Sequence, residues 1–208
     1  ALDWEYFSID GEHFLVVANY RSGTNQDQNS IVYKYDAALS TNPFKEIQSI
    51  STKGAFDWEF FTISGEHFLV VANYYSGSSY DQNSIVYKYD ATQSTNPFQV
   101  FQSMIPTKGA LDWEYFTISG EHYLVVANSY DGSSYDQNSI VYKYDATLST
   151  NPFQVFQSIP TKGASDWEYF SIDGEHFLVV ANFYSGSSYD QNSIVYKYDA
   201  TLSTNPFQ

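Results

Sequence analysis

Asp3, Asp57, Asp112 and Asp166 each stand two residues ahead of a glutamate, Glu5, Glu59, Glu114 or Glu168, with a tryptophan between. Carboxylates at alternate positions share one face of an extended chain. Four such pairs gathered about one axis would line a channel with hard oxygen ligands suited to Ca²⁺, Mg²⁺ or Na⁺. On that reading Asp3, Asp57, Asp112 and Asp166 are the candidate metal ligands, and no other cofactor is required. Buried carboxylates are more often satisfied locally. In that case each aspartate caps the PTKGA turn before it, and each glutamate pairs with backbone or lysine. His13, His67, His122 and His176 also recur once per repeat. Equivalent histidines on separate units meet one metal only if they line the channel, so structural hydrogen bonding is their expected role.

A second set of polar residues lies in the stretches reading GSSYDQNS. Tyr80, Asp81, Gln82 and Asn83 form one group, Tyr135, Asp136, Gln137 and Asn138 another, and Tyr189, Asp190, Gln191 and Asn192 a third. Tyrosine is a rigid amphipathic anchor, and amides adapt as donors or acceptors. Loops on a rigid scaffold often carry recognition, so these are the candidate binding residues for a glycan or an extracellular protein. The simpler role for the same Asp and Asn is to satisfy turn backbone. The first repeat reads GTNQDQNS, with Gln26 in place of the tyrosine. Catalysis needs different groups converging at one place, whereas this chain offers the same groups at four equivalent places. With no cysteine and no glycine-rich phosphate loop, the chain reads as a non-enzyme.

The elements that position these residues follow from the repeat. The four tryptophans are 54, 55 and 54 residues apart, and the extra residue sits near Met104. In the second repeat, Asp57 to Ile63 is aromatic and β-branched and reads as a strand. Ser64-Gly65 is a tight turn, as Asp10-Gly11 and Asp173-Gly174 are in theirs. His67 to Asn73 is apolar on both faces, so it reads as a strand buried on both sides. Ser76 to Asn83 is loop chemistry, Ser84 to Tyr89 a third strand, Asp90 to Pro97 a second polar loop, and Phe98 to Ile105 a more polar fourth strand. No segment carries an apolar period of 3.6, so helices are not expected. Four antiparallel strands whose polarity rises outward make a blade, and blades stacked radially bury one another's faces. The expected fold is an all-β propeller, with a β-solenoid or stacked sandwich as alternatives. The repeats divide at 1–54, 55–109, 110–163 and 164–208, the last lacking most of its outer strand.

Composition limits the partners. At 208 residues, 43% hydrophobic and 19% aromatic, the chain can bury a core despite a formal net charge of -15. That charge repels phosphate backbones and anionic lipids, which argues against nucleic acid and membrane surfaces. No apolar run approaches the roughly 20 residues that span a bilayer. Ala1 falls two residues before the first motif, and no signal peptide precedes it, so the chain reads as mature or engineered. Scattered changes such as Arg21, Lys45-Glu46 and Met104 lean toward natural duplication.

The run Gln-x-Ile-Pro-Thr-x-Gly-Ala-x-Asp-Trp-Glu-x-Phe, then Ile-x-Gly-x-His-x-Leu-Val-Val-Ala-Asn, then Ser-Ile-Val-Tyr-Lys-Tyr, resembles the EPTP, or epilepsy-associated (EAR), repeat. The resemblance covers essentially the whole chain, four times over. It implies a β-propeller, usually of seven blades, in a secreted or cell-surface protein, working in extracellular protein–protein recognition and not in catalysis. This chain departs from the pattern in having four nearly identical repeats. Four blades span part of a circle, so the expectation is an eight-bladed ring closed by homodimerisation. Two functional classes follow. One is a self-assembling scaffold for protein interaction. The other is a multivalent lectin-like binder using the GSSYDQNS loops.

Overall fold

A computed structural model describes all 208 residues as strands, turns and loops, with no helix. The first sheet orders β1 (Asp3–Ile9), β2 (Glu12–Ala18), β3 (Asp27–Tyr35) and β4 (Phe44–Lys53). The second orders β5 (Ala55–Ile63), β6 (Glu66–Asn73), β7 (Asp81–Tyr89) and β8 (Phe98–Lys108), and the third β9 (Ala110–Ile118), β10 (Glu121–Asn128), β11 (Asp136–Tyr144) and β12 (Phe153–Lys162). The fourth has three strands, β13 (Ala164–Ile172), β14 (Glu175–Asn182) and β15 (Ile194–Lys197), with Phe207 bridged to Tyr198 where an outer strand would begin. All neighbours are antiparallel. These are four blades of a β-propeller.

The local reasons are those of hairpin chemistry. Ser64 and Gly65 both have positive φ, 51° and 80°, as the twist-matched two-residue turn requires. Between blades, Gly109 (φ +51°) lies where a Cβ would come within 2.6 Å of the Tyr130 carbonyl oxygen, so only glycine fits that corner. The extra residue of the second repeat is absorbed at the sheet's outer edge. Ser84 pairs with Ile105 and Val86 with Gln102, leaving Ser103 and Met104 in a bulge with Met104 exposed. Strands β7 and β11 begin at Asp81 and Asp136, three residues earlier than the sequence suggests, because their outer partners run on through Lys108 and Lys162. β15 has no full outer partner and keeps only four residues.

The core is three separate seams, each between consecutive blades. Phe61, Phe68, Val70 and Val86 of the second blade, for example, pack on Trp113, Leu124, Val126 and Tyr142 of the third. The other two seams repeat this with equivalent residues. Inner strands pack in series, β1 on β5, β5 on β9 and β9 on β13, and no packing of that extent returns from β13 to β1. The molecule is therefore an open arc. The four tryptophans are not equivalent: Trp58, Trp113 and Trp167 are 1–2% exposed inside seams, but Trp4 is 52% exposed on the free face of the first blade.

Candidate binding surfaces

The inner carboxylates join blades. Asp57 accepts the Trp113 backbone N–H at 3.0 Å and Glu59 that of Tyr115 at 3.1 Å. Asp112 and Glu114 do the same for Trp167 (2.9 Å) and Tyr169 (3.0 Å). Alternation explains this: tryptophan and the residue two further on direct their N–H groups off the free edge of the inner strand, toward the preceding blade. Burial is the main force raising these acids, opposed by the N–H bonds and aided by neighbouring carboxylates. Glu59 is pushed up to about 9 and Asp112 to about 8. Glu5 and Glu114 rise to about 7. Asp57 is held well above the usual carboxylate range by burial and by Asp112 and Asp3 alongside. No group of three or more Asp, Glu or His side chains has metal-binding geometry. Asp3, Asp57, Asp112 and Asp166 stand one per blade, near enough for Asp3 and Asp112 to raise Asp57 and for Asp166 and Asp3 to raise Asp112. For Asp57 and Asp112 the hydrogen-bond partner is the next blade's backbone.

Each histidine has a hydroxyl partner at Nδ1: Tyr6 (2.8 Å) for His13, Thr62 (3.0 Å) for His67, Tyr115 (2.6 Å) for His122 and Tyr169 (2.7 Å) for His176. This is the structural role expected from the sequence. A further device escapes the sequence reading. Gln48, Gln102 and Gln157 on the outer strands each grip the next blade through one amide, donating to a phenylalanine carbonyl and accepting from its N–H. For Gln48 and Phe98 the distances are 2.7 and 2.8 Å, and Phe153 and Phe207 are held likewise. The one signal for it is the 54- and 55-residue spacing of these glutamines.

The GSSYDQNS residues divide by role. Asp81 and Asp136 are the first residues of their strands and pair with Lys108 and Lys162, both at 2.6 Å. Gln82, Gln137 and Gln191 brace their loops by donating to Ser79, Ser134 and Ser188 carbonyls. Asn83, Asn138 and Asn192 are exposed. Asp190 precedes β15 and is exposed. Tyr80 and Tyr135 are half-buried. Tyr80 packs on Tyr75 of its own blade (4.4 Å between ring centres) and edge-on to Tyr130 of the next (4.8 Å); Tyr135 packs on Tyr130 (4.3 Å) and Tyr184 (4.8 Å). Tyr189 is 70% exposed on the free face of the fourth blade. Between the third and fourth blades, Gln137, Asn138, Gln191 and Asn192 share a polar groove of about 470 Å³ with Lys162 and Asn182.

The two end faces are the largest departures from a satisfied surface. On the first blade Trp4, Tyr6, Tyr33 and Phe44 occupy the places that Trp58, Phe60, Tyr87 and Phe98 fill inside a seam. On the fourth, Ile172 and Val195 are each 55% exposed, whereas their counterparts Ile63 and Val86 are 4% and 0% exposed.

The EPTP domain model matches residues 1–36, 44–90, 98–145 and 153–199. The thrombospondin-type laminin G domain and EAR repeat-containing protein of Mus musculus is 46% identical over 205 residues, covering 95% of this chain and 29% of its own length. The Homo sapiens protein of the same name is 45% identical over 240 residues, covering 88% and 35%. The chain thus spans about a third of the length of the curated relatives it matches. Among solved structures, an exo-beta-1,3-galactanase from Phanerochaete chrysosporium aligns with a TM-score of 0.59 at 12% identity, over 99% of this chain and 48% of its own. An alpha-L-arabinofuranosidase from Lactobacillus brevis aligns at 0.54 and 14% identity, over 97% and 74%. Both likenesses concern the fold alone, which is that of propeller glycosidases.

Proposed function

The chain belongs to the EPTP, or EAR-repeat, family, and from that premise we propose that it is a non-enzymatic extracellular propeller scaffold that self-assembles through its end blades. Blade 4 of one copy meets blade 1 of a second, and two such joins close an eight-bladed ring that can serve protein recognition. One observation carries this: residues 1–5% exposed within the seams, such as Trp58 and Ile63, recur at the two ends as Trp4 and Ile172, exposed by 52% and 55%. Apolar faces of this kind are rarely left open to water. The two faces complement each other as consecutive blades do, and a head-to-tail contact closes when the rotation permits. A non-catalytic role is supported by side chains already engaged in structure, with carboxylates on backbone N–H groups and histidines on hydroxyls. Light scattering at micromolar concentration should give about 47 kDa, twice 23.7 kDa. A mass of one chain would refute the reading.

A second reading, a lectin-like binder, draws on the polar groove around Gln137, Asn138, Gln191 and Asn192. Binding on a glycan array, lost on N138A/N192A, would favour it. A blank array would remove it.

A further inference from the structure

The premise is the blade-to-blade docking of two copies in the proposed ring. That docking would place a defined set of unpaired polar groups opposite one another. Inside the arc every leading blade after the first offers an aspartate and a glutamate to the backbone N–H groups of the next tryptophan and the residue two beyond it. On the fourth blade the same pair, Asp166 and Glu168, is exposed and accepts no hydrogen bond from another blade. On the first blade the matching donors are the N–H groups of Trp4 and Tyr6. By the register of β1 they point off the arc's free edge, as those of Trp113 and Tyr115 point toward their acceptors.

A separate observation falls on the same two blades. Tyr80 and Tyr135 each meet, edge-on at 4.8 Å, a tyrosine of the following blade, Tyr130 or Tyr184. Tyr189 is the next in that series and is open to solvent. The first blade carries no tyrosine at the Tyr130 position. It carries Arg21, the chain's one arginine, exposed and with its guanidinium 5.6 Å from the Tyr20 ring. Arg21 pairs with no carboxylate of its own chain, and the Tyr20 ring beside it packs on Phe56 and Tyr74 of the second blade, so an exposed guanidinium is left beside the free face of the first blade. A guanidinium beside a tyrosine ring is an attractive replacement for an aromatic edge.

We propose that the join is held in register by Asp166 and Glu168 of one copy accepting the Trp4 and Tyr6 backbone N–H groups of the second, with Tyr189 packed against Arg21 of that second copy. The pattern also fixes direction. Two fourth blades face to face would bring four carboxylates together without donors, and like charges so placed reject that pairing.

Sedimentation equilibrium on D166A/E168A, R21A and R21Y tests the lock. The dimer dissociation constant should rise at least tenfold in D166A/E168A and severalfold in R21A. R21Y, which recreates the internal tyrosine pair, should keep wild-type affinity. Thermal melts of the three variants, taken at a concentration where all are monomeric, should lie at or above wild type for D166A/E168A, whose lost charges only repel Asp112 and Glu114, and close to wild type for R21A and R21Y, because none of these side chains makes a hydrogen bond to another blade of its own chain. A dimeric wild type with D166A/E168A and R21A equally tight would overturn the lock and leave the ring reading standing. A monomeric wild type would remove both.

Discussion

Trp113→Ala and Trp4→Ala change the same residue of the same motif, yet the seams separate their effects. The Trp113 indole is 2% exposed between the second and third blades, and its Nε1–H donates to the Val71 carbonyl (3.2 Å) and the Ser84 hydroxyl (3.3 Å). Removing it withdraws roughly 200 Å² of apolar burial, worth about 5 kcal/mol at about 25 cal/mol per Å². Measured losses for buried Trp→Ala changes run at about 3–5 kcal/mol. Trp4 is half open and its neighbour on that side is solvent, so no cavity forms and the cost should stay near or below about 2 kcal/mol. For a chain of this length each kcal/mol moves the midpoint by about 2–4 °C. Trp113→Ala should therefore lower the melting temperature by about 6–20 °C, and Trp4→Ala by less than about 8 °C. Melts followed by near-ultraviolet circular dichroism, on protein diluted until monomeric, read this directly. In the same pair, Trp4→Ala should weaken dimerisation more than Trp113→Ala does. Equal stability losses from the two substitutions would refute the open-arc assignment of the end faces.

Stability should fall as pH rises from about 5 to about 9. The seam acids Glu5, Glu114, Asp112 and Glu59 are raised to about 7, 7, 8 and 9, so the folded arc holds protons that the unfolded chain, with carboxyls near about 4, has released. Their contribution is present below about pH 4 and lost as pH passes through those raised values. Melts across this range should show the decline, and E59Q should flatten it; a wild-type midpoint that climbs with pH contradicts the assignment. Gln102→Ala strands the buried Phe153 N–H and carbonyl and should cost about 2 kcal/mol or more by urea titration. Gly109→Ala places a methyl against the Tyr130 carbonyl at positive φ and should cost more than about 1 kcal/mol by the same measurement. Tyr135→Ala loses two aromatic contacts and should cost about 1–3 kcal/mol. An unchanged urea midpoint would contradict a packing role for that tyrosine.

Much of this protein is determined locally and is legible in its sequence. The doubly apolar HFLVVAN strand, the positive-φ Ser-Gly and Asp-Gly turns and the fixed tryptophan spacing specify a four-stranded blade, because each depends on side-chain alternation or on one residue's φ. Two apolar faces on one repeat also require neighbours. What each blade finds beside it is decided only in three dimensions. Asp57 and Asp112 read as turn caps or metal ligands, and the seam adds a backbone N–H partner 55 or 56 positions away, a pairing that no local spacing encodes. Tyr80 and Tyr135 read as loop anchors, and the next blade's tyrosine meets each edge-on and half-buries it. Tyr189, in the same motif, stays open on the free face of the fourth blade. Trp4 and Trp113 carry the same sequence signal and have opposite surroundings. Burial is a property of the contact between blades, and identical repeats acquire different environments according to their place in the arc.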